Sequence, residues 1–216
     1  MANNPDFLKV MIRDVEFFWP RLDQPYRYNA QTKRTEACAA GAPNAGYSIA
    51  WDMPMAEAKK LHAELRKHYE ACRSRNAKLP EFEQVFGMKK DPNTGTVRFT
   101  AKKRAMSADG KINKPPRVLG ADLTELGDKA IWSGSKGDLR VLAFASTDPD
   151  GAGGISLLLD VVQVKEAVYG GDNLEEDFTP VAPGKTAARD LSEFDDDDVP
   201  GPAQRTKAPI PADAEF

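Results

Sequence analysis

Residues 47–75 read YSIAWDMPMAEAKKLHAELRKHYEACRSR, and the hydrophobic period changes inside that stretch. Tyr47, Ile49 and Trp51 alternate with Ser48 and Ala50, the period of two that a half-buried strand needs. Asp52 is placed to cap a helix, with Pro54 in its first turn. From there the apolar positions are Met55, Ala58, Leu61, Leu65, Tyr69 and Cys72. Steps of three and four put them on one face of a helix of about five turns. Lys59, Lys60, Arg66, Lys67 and Arg73 fall on the other face, which reads as an ordinary solvated surface.

Strand signals surround this helix. Leu8, Val10 and Ile12 alternate with Lys9, Met11 and Arg13 in a segment expected to end near Phe18, because Pro20 removes a ladder donor. A loop containing Pro25, Gly41 and Pro43 should follow. After the helix, Phe82–Lys90 and Thr96–Met106 flank the turn cluster Asp91-Pro92-Asn93-Thr94-Gly95, a hairpin signal. In its second arm Val97, Phe99 and Ala101 share one side, and Arg98, Thr100 and Lys102 the other. Gly137–Thr147 and Ile155–Lys165 are two further strands, joined by a glycine-rich turn at 148–154. Ile155, Leu157, Leu159 and Val161 are expected on one face of the last strand. Twisted antiparallel strands with one inserted helix predict a mainly β fold, an OB-fold-like antiparallel β-barrel.

Composition divides the chain. It has 216 residues, 41% hydrophobic and 29% charged, and no apolar run long enough for a membrane helix. Nothing in residues 1–6 reads as a secretory signal, and two cysteines make no disulfide framework, so a cytoplasmic protein is expected. Residues 1–170 carry 26 basic and 21 acidic side chains, whereas residues 171–216 carry 4 and 12. The overall pI of about 5.6 therefore averages two unlike parts. Six prolines and the run Glu193-Phe194-Asp195-Asp196-Asp197-Asp198 fall in the second part, which holds too little apolar surface to offset ordering entropy. The expected organisation is a folded domain over 1–170 and a disordered acidic tail over 171–216.

Motifs for catalysis are missing. No phosphate-binding loop, nucleophile elbow or zinc-protease helix occurs. The glycines at 151, 153 and 154 open no helix, and with Asp148 and Asp150 they read as a turn. His68 and Cys72 lie one helical turn apart, but the sequence offers no second ligand pair. No catalytic residue, metal or cofactor is expected. Material for nucleic-acid binding is richer. Lys89, Lys90, Arg98, Lys102, Lys103 and Arg104 crowd the predicted hairpin, and 15 aromatic residues lie in 1–170. Cations track phosphates while rings stack on unpaired bases. Tyr47 and Trp51 read as core. Phe99 accompanies the hairpin cations, and Trp19, Tyr26, Tyr28 and Trp132 have the polar, proline or glycine neighbours of exposed rings. The expected DNA-binding set is Trp19, Tyr28, Lys89, Lys90, Arg98, Phe99, Lys102, Lys103, Arg104 and Trp132.

The order of several segments resembles the single-stranded DNA-binding proteins of tailed bacteriophages. These are Tyr47-Ser48-Ile49-Ala50-Trp51-Asp52 running into Met55-Ala56-Glu57-Ala58, then Lys114-Pro115-Pro116-Arg117-Val118, then Ile131-Trp132-Ser133-Gly134-Ser135 before Leu139-Arg140-Val141, and finally Gly154-Ile155-Ser156 through Val162-Gln163-Val164. Glu193 to Pro200 is similar to the acidic tip of bacterial single-stranded DNA-binding proteins, and Asp213-Ala214-Glu215-Phe216 to the phage terminus. Here Gly201–Ala212 separates the acidic run from Phe216, so Phe194 and Phe216 are both candidate ligands. The resemblance implies an OB-fold, non-enzymatic protein that protects single-stranded DNA in phage replication, recombination or repair. It implies a tail, with Phe194, Asp195, Asp196, Asp197, Asp198 and Phe216, that recruits phage or host replication proteins in the host cytoplasm and competes with DNA for the basic groove. No membrane partner is expected, and a homodimer is among the expected forms. The alternatives are a single-stranded RNA binder or protein adaptor, and a DNA-processing nuclease.

Overall fold

The first strand, β1 (Phe7–Asn29), is 23 residues long and carries the burial pattern of three short strands laid end to end. Val10 and Ile12 point inward, then Phe17, then Leu22, so the inward phase changes twice. Each change coincides with a left-handed residue at a register shift: Asp14 at φ 52° between Ile12 and Val15, and Trp19 at φ 46° between Phe18 and Arg21. These bulges let one strand bend around a barrel. They also explain why the strand does not stop near Phe18 as the sequence predicts. Pro20 lies inside the second bulge, where no ladder partner is required of it, and Pro25 falls at the next irregularity. The computed structural model describes residues 5–92, 94–127 and 129–169.

A hairpin to β2 (Arg34–Ala37) leads to β3 (Gly46–Pro54) and the helix α1 (Met55–Arg75). Then come β4 (Phe82–Val85), β5 (Lys89–Lys90), β6 (Thr96–Arg104), β7 (Arg117–Leu119), β8 (Lys136–Thr147) and β9 (Gly153–Glu166). Neighbouring strands run β9-β8-β1-β3-β6, and β6 returns to β9 through Lys102 opposite Leu158, which closes a five-stranded barrel. The closing pair is parallel and the other four are antiparallel, so the expected antiparallel barrel holds except at its seam. The predicted hairpin is shorter than its sequence suggests. Only Lys89 and Lys90 pair with β6, whereas β4 runs parallel to β9.

Pro54, not Asp52, occupies the cap position of α1, and no side chain caps that end. The helix buries Ala58, Leu61, Leu65, Tyr69 and Cys72, the face read from its period. They join Phe17, Ile49, Trp51, Phe99, Leu139, Leu159 and their neighbours in one core. Trp51 and Phe99 stack there with centroids 5.8 Å apart, each ring contributing a few kcal/mol of burial. On β9 an extra residue, Asp160, stands between Leu159 opposite Val141 and Val161 opposite Arg140. The bulge turns Val161 outward and Val162 inward, reversing the face expected for Val161. The 148–152 link is a turn, with Asp148 accepting the Asp150 and Ala152 amides. The expectations for residues 171–216 lie outside the described residues.

Candidate nucleic-acid interface

Strand alternation on β6 sends Val97, Phe99 and Ala101 into the barrel and leaves Arg98, Thr100 and Lys102 on its outer wall, with Arg104 exposed at the end. Outward positions recur every second residue, so this row spans about 20 Å. The register sets Asp52, Ala50, Ser48 and Gly46 of β3 beside Arg98, Thr100, Lys102 and Arg104. Three of those neighbours are small, and at Gly46 a Cβ would lie 2.7 Å from Lys103 O, so β3 runs close against the cationic end of β6.

At one end of the row the guanidinium of Arg98 donates from Nε and Nη2 to the two carboxylate oxygens of Asp52, both at 2.7 Å. Hydrogen bonding to Asp52 raises the Arg98 pKa against the opposing effect of burial. The same cation lies 4.3 Å from the Phe18 ring centre and 4.7 Å from that of Trp19. A bidentate ion pair thus fixes a cation under two rings, one of them 56% exposed. Lys89 stands across from Arg98 and Lys90 across from Val97, both exposed. The Trp19 amide donates to Ser133 Oγ at 2.8 Å, so the segment carrying Trp132, itself 57% exposed, runs alongside. The Trp132 amide donates to Val168 O, beside Tyr169, whose ring sits 5.7 Å from Lys129 Nζ.

At the other end, Lys102 and Arg104 enter no ion pair among the described residues, and with Thr100, Phe7, Phe86 and Phe144 they line a cleft of about 700 Å³. Gly87, at φ +81°, lets the chain turn tightly against Thr100 at its edge. Lys103 alternates inward beyond Ala101. Its ammonium donates to Pro115 O at 3.4 Å, and burial lowers its pKa from 10.5.

Of the ten sequence-predicted residues, the structure gathers Trp19, Lys89 and Arg98 at one end of the row and Lys102 and Arg104 at the other; Lys90, paired with the inward Val97, is exposed on the opposite face of the sheet from Arg98. Lys103 is tied to Pro115. Tyr28 is exposed near the end of β1, paired with Thr35 in the β1–β2 hairpin, and Trp132 is on the loop before β8. Phe99 is a correction: it is wholly buried against Trp51, because it shares the inward phase of Val97 and Ala101. Sequence reading missed Asp52 as the partner of Arg98, Phe18 beneath Trp19, and the cleft phenylalanines. The register that brings these together is not written in local sequence, although the alternation of 97–101 already placed Phe99 inside. Among the described residues no cluster of His, Cys, Asp or Glu could hold a metal, and no helix is long and apolar enough to cross a membrane. His68 Nε2 and Cys72 Sγ lie 3.6 Å apart on α1 without a further ligand set.

A closed barrel in the strand order first-second-third-fifth-fourth, with the third and fifth parallel, defines the OB-fold class. Within that class the chain has the fold of phage single-stranded DNA-binding proteins. The C-terminally truncated single-stranded DNA-binding protein of bacteriophage Enc34 superposes with a TM-score of 0.53 at 16% identity, over 76% of this chain and 88% of that one. The gp2.5 single-stranded DNA-binding protein of bacteriophage T7 gives 0.53 at 15% identity, over 81% and 96%. The Enc34 protein in complex with single-stranded DNA gives 0.53 at 15%, over 77% and 93%. No protein-family model and no curated protein sequence matches this chain.

Proposed function

We propose that this protein binds single-stranded DNA without reading its sequence, using the outer face of β3 and β6. The observation that carries this is the cationic row of β6, Arg98 to Arg104, ending beneath the exposed Trp19 indole. Phosphates lie along Lys102, Arg104 and Lys89, and their binding releases counterions. Unpaired bases stack on Trp19, with Trp132 on the loop before β8 and Tyr28 on the β1–β2 hairpin, each ring worth about 1–3 kcal/mol. Arg98 orients the platform, since both carboxylate oxygens of Asp52 already occupy its fork. The fold neighbours support this assignment, one of them having been solved with single-stranded DNA bound. Binding is stoichiometric, not catalytic, and serves phage DNA replication, recombination or repair in the host cytoplasm. Asp195 to Asp198, with Phe194 and Phe216, form an acidic lure for replication proteins and compete with DNA for binding.

Tryptophan fluorescence during titration with oligo-dT and with duplex, at two salt concentrations, tests this. Quenching by oligo-dT that weakens with salt and exceeds the duplex response is expected. Equal or tighter duplex binding refutes it. Removing 171–216 should tighten oligo-dT binding at low salt; unchanged affinity refutes the competition.

A further inference from the structure

The cleft at the seam differs in kind from the Trp19 platform. Its apolar wall is three phenylalanines drawn from distant parts of the chain: Phe7 at the start of β1, Phe144 near the end of β8, and Phe86 after β4. Phe7 and Phe144 meet with ring centres 5.7 Å apart, and Phe7 remains partly exposed. Phe86 reaches the wall only because residue 154 is glycine; a Cβ there would lie 2.9 Å from the Phe86 ring. The charged part of the lining is Lys102, Lys103, Arg104 and the Asp148 carboxylate. A hydroxyl pair, Ser146 Oγ to Ser156 Oγ at 2.7 Å, also lines the cleft. One of these two protons is used within the pair and the other is left to donate. Apolar ring faces, a free donor and unpaired cations within about 700 Å³ make a compartment of the size that small ligands fill.

Resting on the single-strand reading above, we propose that this cleft seats one unstacked nucleotide of the bound strand. Its base lies against Phe7, Phe86 and Phe144, and its phosphate lies on Lys102 and Arg104. The cleft is continuous with the β6 row through Thr100, so a strand on the outer face runs into it. A base locked in a duplex stack cannot enter. The cleft therefore adds to the preference for single strands that stacking of unpaired bases on exposed rings already provides.

The test uses the full-length chain labelled with fluorophenylalanine, with resonances assigned through single Phe→Leu variants. On adding (dT)12 or thymidine 5′-monophosphate, the Phe7, Phe86 and Phe144 resonances should shift, while buried Phe17 and Phe99 stay fixed. Phe7→Ala and Phe144→Ala should each weaken (dT)12 binding about fivefold or more, with thermal unfolding checking that each variant is folded. Phe7, at the strand's start, remains informative if Phe144→Ala does not fold. Tryptophan quenching by (dT)12 with static cleft resonances overturns the cleft proposal and leaves single-strand binding standing. Absence of both signals overturns the two together. Resonances that move with a peptide of residues 205–216 but not with the mononucleotide overturn it in favour of a protein ligand.

Discussion

The two ends of the β6 row use the same chemistry in opposite states. At the Arg98 end the cation is committed: two 2.7 Å hydrogen bonds hold it to Asp52, and two aromatic rings cover it. At the Arg104 end the cations face the cleft without an ion pair among the described residues. A committed cation builds shape, whereas an unpaired one supplies charge. Sequence composition counts both as +1, yet only the second can displace a condensed counterion from a phosphate. The interface should therefore separate under mutation into a part that fixes geometry and a part that sets salt dependence.

The largest effect should come from removing what both ends share. Phe99 lies on the inner side of β6 between Arg98 and Thr100, and truncation leaves a cavity against Trp51. Phe99→Ala should lower stability by about 3–5 kcal/mol, measured by urea unfolding. Both ends should then weaken together. Preserved stability would mean that the core does not align the row.

Next come the members of the platform. Trp19→Ala should cost about 1–3 kcal/mol of oligo-dT affinity and remove the largest share of the fluorescence quench. Arg98→Ala should weaken binding through loss of the indole's support. Arg98→Lys should not rescue it, because a point ammonium cannot satisfy Asp52 with two bonds and stack on Phe18 at once. Full rescue by lysine would place Arg98 among the charge suppliers and dissolve the contrast.

How much of this was legible in advance follows the range of each interaction. The helix over Met55–Arg75, its buried face and the β6 alternation are local patterns, and the sequence states them. Trp19, Tyr28 and Trp132 stand among turn-forming or polar neighbours and emerge at the surface. What could not be read depends on register. Asp52 looks like a helix cap until β3 and β6 are aligned so that it faces Arg98. Val161 looks inward until the Asp160 bulge shifts its phase. Phe7, Phe86 and Phe144 are unremarkable singly, and barrel closure alone makes them one wall. Pro20 misled because proline ends a paired strand but not one that is already bulged.

The bulge before Trp19 has its own anchor. Asp138 is buried and accepts the Asp14 amide, Arg13 Nη1 and Lys165 Nζ at 2.8–3.1 Å, holding Asp14 at its left-handed φ. Burial works to raise its pKa, but the Lys165 hydrogen bond, the Asp14 amide and the neighbouring cations outweigh it and keep it below the ordinary 3.8. The native state thus binds fewer protons than the unfolded chain. The stability gained is complete above pH 3.8 and is lost as pH falls through the lower folded value. Asp138→Asn should cost about 1–2 kcal/mol at neutral pH and flatten the acid limb of the stability curve. An unchanged acid limb would remove the anchor from the account.

The smallest effect is also the most discriminating. Lys102→Ala and Arg104→Ala should each lose less than about 1 kcal/mol of oligo-dT affinity at physiological salt, since each removes one exposed phosphate contact. Their signature is the slope of log affinity against log salt, which should fall by about 0.7 for each cation removed. Arg98→Ala should leave that slope nearly unchanged despite its larger loss of affinity, because Asp52 already neutralises the guanidinium, which then displaces no condensed counterion from the DNA. The two ends would then differ in kind as well as in degree. A slope change at Arg98 equal to that at Lys102 would mean that DNA breaks the Asp52 pair on binding, turning the committed end into a second charged contact.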